Sequence, residues 1–148
     1  MISGATPVLL YSGIAVPAAL LKIGDVLMGA DGGQRVVSSL RNGSDFLYTV
    51  GQQGGGSYAV DQTQALSLKV AGTYECKSMG VLELIQRLQS GRRWPERGWR
   101  MDIESGASSL HALTIERVGR RTECFGFALS GYNLFLLEDG AVMQASER

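Results

Sequence analysis

Histidine occurs once in this chain of 148 residues, cysteine twice and proline three times. Two cysteines, Cys76 and Cys124, are too few for a disulfide scaffold, and their separation matches no zinc-ligand spacing, so both are expected to be packed thiols. An excess of either charge is missing too: Lys plus Arg and Asp plus Glu are 14 each, and no global field draws the chain toward nucleic acid or a membrane surface. Long apolar runs are absent, since stretches such as Ala15 to Leu21 fall far short of a bilayer span, and Met1 is not followed by a basic segment and an apolar core. These absences lead us to expect a monomeric cytoplasmic protein with no membrane, nucleic-acid, metal or cofactor partner.

What is present is 45% hydrophobic content, enough for one core and one domain, and 20 glycines. Short runs of Val, Leu and Ile are divided by Gly, Asn, Asp and Ser, which reads as many short strands and a mainly β protein. Thr6 to Tyr11 suits a strand buried on both faces, followed by another near Ile14 to Val16. Asp31-Gly32-Gly33 reads as a tight hairpin turn, and Asn42-Gly43 as a second one between strands at Gln34 to Leu40 and Phe46 to Val50. Gly51 to Ser57 lacks the Lys-Ser/Thr of a phosphate loop and reads as a flexible hairpin tip. Ser57 to Val60 and Leu66 to Val70 then bracket Asp61-Gln62-Thr63-Gln64.

One helix stands out at Ser78 to Gln89: Ser78 can cap it, Val81, Leu84, Ile85 and Leu88 share a face, and Gly91 can end it. The short basic run Arg92 to Arg97 around Trp94 reads as a solvated loop with the tryptophan anchored. Trp99 to Glu104 alternates as a strand, Ser105 to Ser109 is a polar linker, and Leu110 to Val118 and Glu123 to Leu129 are the last long strands. His111 shares the apolar face of Leu113 and Ile115 by period two, a structural position. No paired carboxylates and no nucleophile with an adjacent base emerge.

Three stretches belong together. The opening Met1-Ile2-Ser3-Gly4-Ala5-Thr6-Pro7-Val8-Leu9, the segment Leu20-Leu21-Lys22-Ile23-Gly24-Asp25-Val26-Leu27-Met28-Gly29-Ala30-Asp31-Gly32, and the close from Cys124 through Phe135-Leu136-Leu137-Glu138-Asp139-Gly140-Ala141-Val142-Met143-Gln144-Ala145-Ser146 resemble the corresponding blocks of inteins. The resemblance spans nearly the whole chain and implies an all-β, horseshoe-shaped Hint fold with one covering helix. It implies a splicing domain over 1–145 with a short tail at 146–148, and flanking host segments acting in cis. The chain has no room for the homing endonuclease that larger inteins insert near 105–109.

The same resemblance locates the chemistry. An intein begins with a thiol or hydroxyl that attacks the preceding carbonyl; Met1 stands there with a thioether. The Thr-x-Asn-His motif, whose His donates a proton to the scissile amide nitrogen, aligns its last two residues with Thr63 and Gln64, and Gln cannot transfer protons near neutral pH. Asn133 and Gln144 replace histidines, Ala145 replaces the terminal Asn whose side chain cyclises, and Ser146 alone keeps its expected nucleophile. A shifted register with Gln144 as the cyclising residue would spoil the fit of Val142. A late-block thiol at Cys124 lacks the partners that accompany that use. The expectation is an intein-type domain in a splicing-inactive form. Replacement of junction residues to hold a precursor intact accounts for Met1 and Ala145 but not for Gln64 and Gln144. The rival reading is a natural pseudo-domain kept as an inert insert or binding module. A generic β-barrel ligand binder would need a deep apolar pocket that the sequence does not signal.

Overall fold

The computed structural model describes residues 1–91 and 94–145. In chain order its strands are β1 (Ile2–Ser3), β2 (Pro7–Leu9), β3 (Ala15–Pro17), β4 (Val26–Met28), β5 (Gln34–Gln52), β6 (Ser57–Val60), β7 (Ala65–Val70) and β8 (Cys76–Gly80). After the helix α1 (Val81–Gln89) come β9 (Glu96–Met101), β10 (Ser108–His111), β11 (Leu113–Leu129), β12 (Leu134–Leu136) and β13 (Val142–Gln144). No helix among the described residues is long and apolar enough to cross a membrane.

The largest feature is the antiparallel ladder between β5 and β11, running from Leu113 opposite Gln52 to Leu129 opposite Val37. The expected turn at Asn42-Gly43 does not form. Asn42 pairs with Phe125 and Gly43 with Cys124 inside one uninterrupted strand, because β11 offers a partner along its whole length and a turn would forfeit those ladder bonds. Gly43 serves space instead, since a Cβ there would lie 3.0 Å from Met1 Cε. The break expected between Val118 and Glu123 is a bulge: Arg117 faces Tyr48 and Arg121 faces Phe46, so β11 carries extra residues where β5 carries only Leu47.

The opening strand closes this ladder into a ring. Ile2 sits opposite both Phe125 of β11 and Val60 of β6, while β6 also pairs with β5. The first and last strands are not paired with each other. β1 lies between β11 and β6, and β13 pairs with β12. The next segment makes the neighbourly contact, through a Val8–Leu137 bridge and a hydrogen bond from Glu138 N to Pro7 O of 2.9 Å.

A second sheet runs β10-β9-β7-β8. Ser78 is consumed in it, opposite Ser67, so the helix starts three residues later than expected, at Val81 with Gly80 as its N-cap and no side-chain cap. The helix does bury Val81 and Leu84, with Ile85 and Leu88 packed beside them. Glu96, buried at the start of β9, accepts a hydrogen bond from Arg87 of the helix at 2.9 Å and fastens α1 to the sheet. Trp94 packs on the core with Arg97 over its ring at 5.5 Å; Arg92 and Arg93 of the basic run lie outside the described residues. The strand expected through Glu104 stops at Met101, because Asp102 turns the chain: its Oδ1 accepts from Glu104 N at 3.0 Å and its carbonyl from Gly106 N at 2.7 Å. The tip at Gln53 to Gly56, expected to be flexible, is tied down. Arg100 donates to Gln52 Oε1 at 3.2 Å and to Gly55 O, and Gln52 donates to Asp139 Oδ2 at 3.1 Å.

The last hairpin explains its own unbroken apolar sequence. Phe135 and Met143, opposite one another, face the main core with Leu27, Phe127 and Leu66, while Leu136 and Val142 face a second cluster with Leu9, Met28 and Trp99. Alternate residues leave opposite faces of a strand, and here both faces are covered. That double burial carries Gln144 and Ala145 into the interior.

Candidate functional site

Two backbone ends meet at the β6–β7 turn. Asp61 N donates to Met1 O at 2.9 Å, which carries the opening residue alongside the turn, and Gln64 N closes the turn on Asp61 O at 3.2 Å. The Gln64 side chain, 1% exposed, then reaches both ways. Its Oε1 accepts from the Met1 nitrogen at 3.1 Å, and its Nε2 donates to Gln144 O at 2.7 Å and to Ala65 O at 2.8 Å. On the far side, Ala145 N donates to Asn133 O at 2.7 Å and the alanine is buried.

The structure therefore brings together Met1, Gln64, Gln144, Ala145 and the backbone of Asn133. Thr63 takes a supporting place: it is exposed, and its hydroxyl donates to Asp61 at 2.9 and 3.0 Å. Ser146 lies outside the described residues. One participant escaped sequence reasoning. Asp61, itself 1% exposed, takes a hydrogen bond of 2.7 Å from the Met1 nitrogen on Oδ1. Its signal was available, since a carboxylate followed two residues later by Thr forms a self-contained turn, but nothing in the chain says what the carboxylate faces.

Cys124 sits opposite both Ser3 and Gly43 and is fully enclosed. Burial pushes its thiol pKa up, and the nearby Asp61 charge adds to the rise, so it stays a protonated, packed thiol. Chemically the cluster can bind and orient a peptide linkage at each end. The Gln64 amide can hydrogen-bond but does not transfer protons near neutral pH, and the Met1 thioether has no ionisable proton. Among the described residues no group of three His, Cys, Asp or Glu side chains could hold a metal.

His111 lies elsewhere, opposite Gly98 at the end of β10, with Nδ1 buried and unpartnered. Burial lowers its pKa, and the Arg100 charge lowers it further against a smaller opposing pull from Asp139. The unfolded chain therefore binds the proton more readily. The resulting stabilisation is complete above the unfolded value of about 6.5 and is lost as pH falls from there toward the folded value. Thermal midpoints measured from pH 7.5 to 5 should fall more in the native chain than in His111→Gln; parallel curves would refute this role.

Comparison with known proteins follows from this geometry. No protein-family model matches the chain, and no curated protein matches it in sequence. Solved structures do. A DnaB intein from Synechocystis sp. PCC 6803 is similar at a TM-score of 0.70 and 16% identity, with 97% of each chain covered. The MchDnaB-1 intein gives 0.67 and 15%, over 97% of this chain and 100% of that one. The gp41-1 intein gives 0.64 and 13%, over 97% and 96%. The likeness at these identities is one of fold, and the chain has the all-β Hint fold of inteins.

Proposed function

We propose that the chain is an intein-type splicing domain in a splicing-inactive form, spanning 1–145 and followed by a tail at 146–148, with flanking segments of a cytoplasmic host protein in cis as its partners. The observation that carries this reading is Gln64, which hydrogen-bonds the Met1 nitrogen at one end and the Gln144 carbonyl at the other, at 3.1 and 2.7 Å. A fold that only needed a stable core has no reason to pin its two ends on one buried side chain.

In this reading Met1 stands at the first nucleophile, Thr63 and Gln64 at the motif positions that polarise the upstream bond, and Gln144 and Asn133 where imidazoles would assist the downstream one. Ala145 stands at the cyclising residue and Ser146 at the acceptor hydroxyl. Gln64, Gln144 and Asn133 keep hydrogen bonding and lack the transferable proton of an imidazole, while Met1 lacks the nucleophile and Ala145 the cyclising amide. The test places the domain between two reporter segments. The chain as it is should leave the precursor uncut. Met1→Cys with Gln64→His, Gln144→His and Ala145→Asn should yield ligated reporters. A folded fourfold variant that stays whole would favour the second reading, an inert folded insert, for which the replacement of interior Gln64 and Gln144 as well as the junctions is the supporting observation.

A further inference from the structure

A cavity of about 320 Å³ opens between the start of β5, strands β7, β9 and β10, and the segment before β12, and none of its lining residues belongs to the cluster around Gln64. Its size falls at the small end of ligand pockets, roughly 300–1,000 Å³. Arg35 forms one wall with a side chain only 9% exposed. Nη2 donates to Asp31 at 2.9 Å and Nη1 to Gln34 O at 2.9 Å, while Nε is buried with no partner.

Trp99 also lines the cavity, with Lys69 Nζ 3.9 Å from its ring centroid. The indole nitrogen is already committed to Ser67 Oγ at 3.1 Å, and Lys69 makes no ion pair among the described residues. Asp31 offsets Arg35, so the cavity retains the single positive charge of Lys69. The apolar Met101 and Leu134 line it too, as does Tyr132, which is 75% exposed and 5.7 Å from the Arg35 guanidinium carbon. An exposed tyrosine ring in a cavity that also holds a lysine suits a flat partner of negative charge.

We propose that this cavity binds a small aromatic monoanion, its ring stacked on Tyr132 and its carboxylate taken by Lys69. The inference does not depend on splicing. Benzoate is the probe, with benzamide, acetate and benzylamine as comparators, followed by NMR through the Trp99 indole N–H and the Tyr132 ring in the full chain. Benzoate should bind with a dissociation constant on the order of 1 mM, as suits a fragment of its size. It should bind about ten-fold more tightly than benzamide, which lacks the charge-assisted bonds. Lys69→Met and Tyr132→Ala should each weaken benzoate several-fold without altering the fold. Equal affinity for benzoate and benzamide, acetate binding as well as benzoate, or a Lys69→Met chain that binds unchanged would each overturn the proposal.

Discussion

Gln64→Leu is expected to destabilise the fold by about 3 kcal/mol and to loosen both chain ends together. Leucine fills nearly the same volume, so the loss comes from hydrogen bonding rather than from a cavity. The amide now satisfies the Gln144 and Ala65 carbonyls and accepts from the Met1 nitrogen. Leaving buried polar partners unsatisfied costs about 1–3 kcal/mol each, offset in part where Asp61 keeps the Met1 nitrogen bound. For a domain of this length that lowers the melting temperature by roughly 6–12 °C. Gln64→His, which keeps one donor, should lose less. The sharper readout is amide exchange: protection should fall at Asp61, whose N–H binds Met1 O, and at Ala145, whose N–H binds Asn133 O. If exchange rises at only one of these, Gln64 is an ordinary buried amide and not the link between them.

That link also marks where sequence reasoning ran out. Short-range signals were readable. Ser57–Val60 is a strand at the expected bounds, Asp31-Gly32 makes its hairpin turn, and Val81 and Leu84 face the core. Each depends on residues within a few positions of one another. The misreadings share the opposite property. Asn42-Gly43 looks like a turn until β11, some eighty residues away, supplies a partner for it. Cys76–Gly80 has one inward residue, Met79, and otherwise exposed ones, so an edge strand was mistaken for a helix start. At the site, the resemblance to inteins names Met1, Gln64, Gln144 and Ala145 as candidates and the structure brings them together, whereas Asp61 gives no such signal because a carboxylate's partner is a tertiary fact. Local chemistry picks the candidates, and only the closing of β1 between β11 and β6 says which of them touch.

The largest loss is expected from Phe135→Ala. The ring is 1% exposed, packs against Phe127 at 5.1 Å between centroids, and stands opposite Met143 in the hairpin that carries Gln144 and Ala145 inward. Deleting a buried phenylalanine costs about 3–5 kcal/mol, from lost transfer energy and from the cavity left behind. This position belongs at the upper end, since β12 and β13 share only three residue pairs and a short hairpin is scarcely stable without the core beneath it. The expected drop in melting temperature is on the order of 10 °C or more. Tyr132→Ala, three residues earlier and exposed, should change stability by less than about 0.5 kcal/mol. The fourfold splicing variant supplies the functional half of the test. In the proposed reading, adding Phe135→Ala to it should reduce ligation even at temperatures where the domain stays folded, because the hairpin carries Gln144 and Ala145 and does not carry Met1. Equal loss of upstream and downstream cleavage would mean that the ring supports the whole domain evenly, and the hairpin would have no special part in presenting the tail.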